Sequence, residues 1–530
     1  MTGGAMRALV AWCLFVYGYA AFNGRPLTMH EARLPQTARE MQATGELLLP
    51  HSGSRPWLER PPLPHWIVIA FAAVLGHHDR VVVARLPSAM CGLAIVLLTV
   101  WTASRLFGRT VGLVSGFTLA TQLEFWTYCT LAEDDIYLAL LVSVAMALFV
   151  RVEWPAVPGA MPSATGPFGS RPWPVLGLFV AVGASNWAKA PLLGPVVIAA
   201  SLGSFLLGTG EMVRVRRYAW FWGVALAGVL TLGWPLAAYA RYPDVVEAWR
   251  FDYLGRVTGE YASLAKPLWY YPAELSWRLL PWTPAALWGL WITRDRVRRS
   301  HGPERWVWAW AIAPIVLLSL PRGKHHHYLV PCLAPWAILA ALGYTSILGW
   351  LRRRWTHVRW RLVHAGALAA LGVLYCAIST CVAARTRAEN TLHDTAFLRD
   401  VQVRVPPDRA LWINADVGTL DFFRLQFYSR DDAVLLHNLS YLRDASRAVA
   451  EAYVVTRARD APILARCGTV RIVTQSADSH GGGGPDGRFT LFHVCFRSDL
   501  RRVQAPRAIS CMQALGRAPG PECEDPDAGR

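Results

Sequence analysis

Hydrophobic residues in this chain gather into long, nearly uninterrupted runs up to about residue 384, and beyond that point they thin into the short alternations of a soluble protein. The runs lie at about 8–22, 84–106, 111–129, 135–151, 174–188, 191–208, 218–240, 279–293, 306–320, 328–350 and 361–384. A straight membrane-spanning helix needs about 20 apolar residues. The pattern therefore predicts a polytopic membrane domain with about eleven crossings, although several runs are short enough to leave their boundaries soft. The first run follows Arg7 and leads into Asn23-Gly24-Arg25-Pro26. No small-residue cleavage site follows it, so it reads as a signal anchor and first span.

Charge sorts the loops between these runs. Arg214, Arg216 and Arg217, then Arg294, Arg296, Arg298 and Arg299, then Arg352, Arg353, Arg354, Arg359 and Arg361 lie two crossings apart and share one side. The positive-inside rule makes that side the cytoplasm. Segments 23–61, 130–134, 241–278, 321–327 and everything after about 385 then lie outside, with the N-terminus inside and the C-terminus outside. The run from His65 to Gly76 is too short for a span; a re-entrant or membrane-parallel helix keeps the loops of Glu31 and Asp135 on one face. The Pro-, Gly- and Ser-rich stretch 152–173 reads as a cytoplasmic loop.

From about 386 onwards, β-prone runs at 410–413, 433–436 and 470–473 alternate with helical ones and predict a small extracytoplasmic α/β domain. The division is 1–384 for the membrane domain and 385–530 for the appended one. The glycine run 481–484 lacks the strand-to-helix setting of a phosphate loop, and the tail after about Arg517 reads as disordered.

Composition agrees with a membrane protein. The chain is 54% hydrophobic and 17% charged, against about 25% charged in soluble proteins. Its formal charge of +17 sits largely in the short Arg-rich loops, which argues for topology and against a nucleic-acid partner. Six cysteines (Cys13, Cys91, Cys129, Cys332, Cys376, Cys381) fall in apolar runs as small hydrophobes. Cys467, Cys495, Cys511 and Cys523 fall in the last segment without zinc spacing; outside the cytoplasm they are compatible with two disulfides, the alternative being free thiols.

Candidate chemistry collects on the outer side. The first loop holds His30-Glu31-Ala32-Arg33 and Glu59-Arg60-Pro61-Pro62; its plainer reading is a solvated helix lying on the membrane. Glu133-Asp134-Asp135 stands where a span begins. One carboxylate would serve as a helix cap, and three are hard to keep ionised together without cations or a metal. Lys189 interrupts two apolar runs, which a snorkelling lysine also does. Arg322-Gly323-Lys324-His325-His326-His327-Tyr328 precedes another span, a histidine cluster being a weak metal signal alone, and Arg256 adds a cation. Cations that stabilise phosphate beside carboxylates that handle protons or a metal suit a phosphorylated substrate reached from the membrane.

The order of these segments resembles the GT-C membrane glycosyltransferases that use polyprenyl-phosphate sugars. Within them it looks like the aminoarabinose transferases acting on lipid A, related to protein O-mannosyltransferases. The matching stretches are Glu31-Ala32-Arg33 through Met41, Gly45 through Pro50, Trp57 through Trp66, Ala84-Arg85-Leu86-Pro87-Ser88-Ala89, Asp135-Ile136-Tyr137-Leu138, Lys189, Pro281-Trp282-Thr283 and Arg322 through Pro331. Together they cover roughly 6–384. The resemblance implies an all-α GT-C domain of about 11–13 transmembrane helices in the inner membrane. It also implies sugar transfer from a polyprenyl-phosphate donor to a lipid or protein acceptor at the outer face.

For the lipid phosphate it implies Arg60, Lys189 and Arg256, with Arg33 and Glu59 in the same motifs. For acid, base or acceptor orientation it implies Glu31 or His30, with Asp134 and Asp135 fixing the acceptor or a cation. Lys324, His327 and Tyr328 would line the donor cavity. A divalent metal is compatible with this fold and not required by the sequence. Two departures stand out: His30 replaces the family's first-loop Asp, and Arg60 replaces a Lys, which keeps charge and changes geometry. The first leaves three assignments open, in which Glu31 takes over, His30 is itself the base, or the activity differs. The rivals are a catalytically altered lipid-binding scaffold and a transporter; the latter predicts charges deep within spans and repeat symmetry, and neither is visible.

Overall fold

The computed structural model describes residues 2–52, 55–76, 80–155, 173–189, 192–250, 255–258, 265–393, 395–414, 427–428, 433–436, 439, 442, 449–479 and 487–497. The chain packs as two compact units. The first comprises Met1–Asn23, Gly45–Pro50 and Trp57–Thr380, and the second Gly24–Thr44, His51–Pro56 and Cys381–Arg530.

The first unit is helical. Its elements begin with α1 (Thr2–Phe22), and the helix α2 (Met29–Thr44) that follows belongs to the second unit. Then come α3 (Leu63–Leu75), α4 (Arg80–Phe107), α5 (Arg109–Ala120), α6 (Leu123–Cys129), α7 (Asp135–Glu153), α8 (Trp173–Ala188) and α9 (Leu193–Thr209). After these lie α10 (Met212–Tyr218), α11 (Phe221–Arg241), α12 (Val245–Trp249), α13 (Gly255–Thr258) and α14 (Tyr270–Arg278). The last are α15 (Thr283–Arg299), α16 (Pro303–Ser319), a 3-10 turn (His326–Cys332), α17 (Leu333–Arg354) and α18 (Trp360–His393), whose end enters the second unit. Six stretches among the described residues are long and apolar enough to cross a membrane: Gly3–Phe22, Val81–Phe107, α7, α11, His326–Arg354 and Trp360–Arg387. The chain is an integral membrane protein.

One expected span is not continuous. The run 111–129 breaks at Thr121 and Gln122 into α5 and α6. Neighbouring helices take up the backbone groups that the break releases. The Tyr375 hydroxyl donates to the Thr121 carbonyl at 2.8 Å, and Leu123 N–H donates to the Leu280 carbonyl at 3.0 Å. Trp282 Nε1 donates to the Thr121 hydroxyl at 2.8 Å. A break in apolar surroundings needs such replacements, because an unmet backbone group there costs several kcal/mol. The short run after His65 is the 13-residue α3, about 20 Å long at 1.5 Å per residue.

α15 and α17 approach closely at two glycines. A Cβ on Gly289 would meet the Leu339 carbonyl oxygen at 1.9 Å, and one on Gly343 the Ala285 carbonyl oxygen at 2.0 Å. Small residues at a crossing let helix backbones touch, which supplies contact where water offers no hydrophobic drive.

In the second unit, α2 is followed by a two-stranded ribbon, β1 (His51–Ser52) with β2 (Arg55–Pro56). After α18 come α19 (Thr395–Arg404), β3 (Leu411–Asn414), β4 (Val434–Leu436), β5 (Glu451–Arg457), the short α20 (Ala461–Ala465), β6 (Gly468–Ser479) and β7 (Arg488–Phe496). The sheet order is β4-β3-β5-β7-β6, parallel on either side of β3 and antiparallel from β5 onwards. Trp412, Leu442, Val454, Leu464, Phe492 and Phe496 fill its core. The three expected strands are β3, β4 and the start of β6. Cys495 is disulfide-bonded, and Cys511 and Cys523 lie outside the described residues. Cys467 lies just after α20, and its backbone N–H donates to the Leu464 carbonyl at 2.9 Å. The glycine run at 481–484, the tail after about 517 and positions 156–172 of the expected cytoplasmic loop lie outside the described residues.

Candidate functional site

The first unit carries its buried charges at the ends of its helices, and α7 orders them. At its C-terminal end Glu153 accepts from the Tyr218 hydroxyl at 2.8 Å and pairs with Arg217 at 3.3 Å, with Arg214 at 3.9 Å. At its N-terminal end Asp135 receives Lys189 Nζ at 2.6 Å, and Asp134 faces Arg60 Nε at 3.5 Å. Neither Asp134 nor Asp135 is spent as a cap, since no side-chain cap hydrogen bond forms at Asp134. Asp134, Asp135 and Lys189 are each under 5% exposed, so the lysine does not snorkel to water.

Asn186 holds the turn that presents Lys189: its Nδ2 donates to the Thr231 carbonyl at 2.8 Å and its Oδ1 accepts from Leu192 N–H at 2.7 Å. The Tyr328 ring lies 5.6 Å from the Lys189 ammonium, and His327 packs edge-on against Tyr328 at 4.7 Å. Burial draws the Lys189 pKa below its ordinary value, while Asp135 opposes that shift. One cluster thus joins Arg60, Asp134, Asp135, Lys189, His327 and Tyr328 from four separate segments. Each carboxylate is met by a cation from the protein, and among the described residues no metal-ligand group converges in this unit.

Lys324 is buried and donates to the Lys266 carbonyl at 2.9 Å, and burial lowers its pKa. Glu59 is exposed at the turn before α3. Arg256 falls in α13, and its side chain lies outside the described residues. His30, Glu31 and Arg33 are in α2 of the second unit. Glu31 is fully buried. It accepts from Thr28 N–H at 3.1 Å and from Arg25 at 3.2 Å, while its own N–H donates to the Thr28 hydroxyl at 3.2 Å. That reciprocal pair is a capping box, Thr at the cap and Glu three residues on. His30 is exposed beside it and Arg33 half-buried.

Residues 59–239, which include Arg60, Asp134, Asp135 and Lys189, match the family described as dolichyl-phosphate-mannose-protein mannosyltransferase. An undecaprenyl phosphate-alpha-4-amino-4-deoxy-L-arabinose arabinosyl transferase of Pseudomonas fluorescens is 27% identical over 363 residues, 66% of this chain and 60% of that protein. The like-named protein of Pectobacterium carotovorum is 26% identical over 387 residues, 69% of this chain and 65% of its own. The chain thus spans less than two thirds of the length of these relatives. Among solved structures, ArnT from Cupriavidus metallidurans bound to undecaprenyl phosphate superposes with a TM-score of 0.73 at 18% identity, over 94% of this chain and 99% of that one. The chain has the GT-C fold. The archaeal oligosaccharyltransferase AglB of Archaeoglobus fulgidus is a more distant likeness, with a TM-score of 0.51 at 11% identity over 86% of this chain and 70% of that one.

The GT-C unit also holds a second buried charge node that the sequence reading passed over. Glu124 on α6, 2% exposed, pairs with Arg278 of α14 and lies 3.0 Å from His326 Nδ1. Arg278 also engages Glu274 and stacks on Trp277 at 4.3 Å. One signal was available: an acidic residue inside an apolar run is costly without a partner. Its partner, 154 positions away, carried none.

Proposed function

We propose that this protein is a membrane glycosyltransferase that moves a sugar from a polyprenyl-phosphate donor to a lipid or protein acceptor at the outer face of the membrane. The observation that carries the reading is the pair of buried ion pairs, Lys189–Asp135 and Arg60–Asp134, gathered on one end of α7 within a GT-C fold. Relatives named for undecaprenyl-phosphate aminoarabinose transfer, and a like fold bound to undecaprenyl phosphate, support the donor class.

In this scheme Arg60 and Lys189 meet the negative charge that grows on the departing lipid phosphate, a task for preorganised cations. Asp134 and Asp135 hold both cations in place before the donor arrives. Lys324, His327, Tyr328 and Arg256 line the donor side, with Arg33 and Glu59 supporting the same motifs. Lys189 is buried beside Asp135, and a charge interaction with an incoming phosphate is stronger there than at a solvated lysine. The N-terminus lies in the cytoplasm and the C-terminal unit outside it. The arginines that close α10, α15 and α17 support that orientation.

The test is reconstitution of the full chain in liposomes with polyprenyl-phosphate sugars, together with mass spectrometry of envelope glycolipids and glycoproteins from cells with and without it. A sugar mass added to one acceptor class, present only with the protein, is the expected result. Donor binding without transfer would favour a lipid-binding scaffold and overturn the reading.

A further inference from the structure

The Glu124 node has a property that a purely structural ion pair does not need. Arg278 answers the buried carboxylate's charge at Oε2. The second oxygen, Oε1, is given to the Nδ1 edge of His326, whose side chain is 42% exposed. An Nδ1–H donating to that carboxylate fixes the ring and leaves Nε2 as the atom that can accept a proton, the arrangement in which a buried acid orients an imidazole base.

The placement suits the reaction. His326 and His327 rings lie 5.7 Å apart, His327 and Tyr328 4.7 Å, and the Tyr328 ring 5.6 Å from the Lys189 ammonium. Three successive contacts therefore join the imidazole to the cation proposed for the donor phosphate. The backbone under it is anchored, because the Tyr271 hydroxyl donates to the His325 carbonyl at 3.2 Å.

We propose that His326 is the general base of the transfer and Glu124 its positioning residue, an inference that rests on the glycosyltransferase reading above. In the step, the oxygen of an acceptor hydroxyl forms a bond to the sugar's anomeric carbon, and the bond from that carbon to the phosphate oxygen breaks. The electron pair leaves with the polyprenyl phosphate, and the hydroxyl proton passes to Nε2 of His326. Glu124 stabilises the imidazolium that results. The titratable groups against His326 are Glu124 and Tyr128 of α6 and His327 of its own segment; one contact further lie Arg278 of α14 beside Glu124, with Glu274 on Arg278, and His325 and Tyr328 beside His327.

The experiment measures transfer by the full chain in liposomes, from a polyprenyl-phosphate sugar to a hydroxyl acceptor, across pH. His326→Gln should lower kcat at least a hundredfold, the usual worth of a general base, with KM for the donor unchanged. It should also remove the ascending limb of the wild-type pH profile. Added imidazole should restore part of the rate to His326→Ala. Glu124→Gln should displace that limb, and Glu124→Asp should recover much of it, which lost packing alone would not do. A wild-type rate and profile in His326→Gln, or no imidazole rescue of a folded, donor-binding His326→Ala, would overturn the dyad while the transferase reading stands. No transfer by the wild-type chain would overturn both.

Discussion

At the scale of single residues, Lys189 and Asp135 carry the argument, and their burial makes them separable by experiment. Taking one partner from a buried pair leaves the other charge uncompensated and costs about 3–5 kcal/mol. Lys189→Met should therefore destabilise more than the double change Lys189→Met with Asp135→Leu, in thermal melts in detergent. Both should weaken binding of a polyprenyl phosphate by roughly ten- to a hundredfold, since a hydrogen bond to a charged group is worth about 1.5–3 kcal/mol. Full-strength binding by the double variant would misplace the phosphate site. Glu31 teaches a different lesson. Its capping box with Thr28 is legible in the sequence as Thr-x-x-Glu. Thr28→Ala should cost about 1 kcal/mol, the worth of a cap, and Glu31→Ala more, because it also strips Arg25 of its carboxylate. Glu31→Gln keeps the box and should be mildest in urea melts; an equal loss in all three would argue against this account.

Elements were legible to the extent that hydrophobic runs dictate helices. α7 shows why: its 19 residues reach about 28 Å at 1.5 Å per residue, matching a hydrocarbon core of about 30 Å. The α5–α6 break was not legible, because the carbonyl of Thr121 is met by Tyr375 and its hydroxyl by Trp282, partners that a local pattern does not announce. For the same reason β5 and β7 emerged only from the sheet, whose core depends on residues as far apart as Trp412 and Phe496. The α15–α17 crossing offers a direct check. Gly343→Val and Gly289→Val would each drive a side chain into the facing backbone, and overpacking of this kind costs about 1–3 kcal/mol or more. Gly203 in α9 has open space around its Cβ position, so Gly203→Ala should be neutral or stabilising, by up to about 1 kcal/mol of helix propensity. Melting points for the three variants decide it, and equal shifts would mean the glycines do not set the crossing.

For the whole molecule, the proposed orientation makes a claim about the two ends of α7 that can be tested. Glu153 with Arg214 and Arg217 closes one end of α7, while Asp135 with Lys189 closes the other. The basic loops and the candidate site must then lie on opposite faces if α7 crosses. On the proposed orientation the arginine-rich loops are cytoplasmic and the site faces outward. α15 and α17 also end in arginines, at Arg299 and Arg354, and α10 carries Arg216 and Arg217 in its last turn, which the proposed orientation places together on the cytoplasmic side. A reporter active only in the cytoplasm should therefore be silent when fused after Arg530 and active when inserted after Gly302, between α15 and α16. Signal from the terminal fusion would invert the orientation and place the proposed transfer on the wrong face. Silence at both positions would break the link between these arginines and the cytoplasm. The two readings together distinguish a reversed molecule from a misassigned loop, because reversal exchanges the signals while a misassigned loop changes only one.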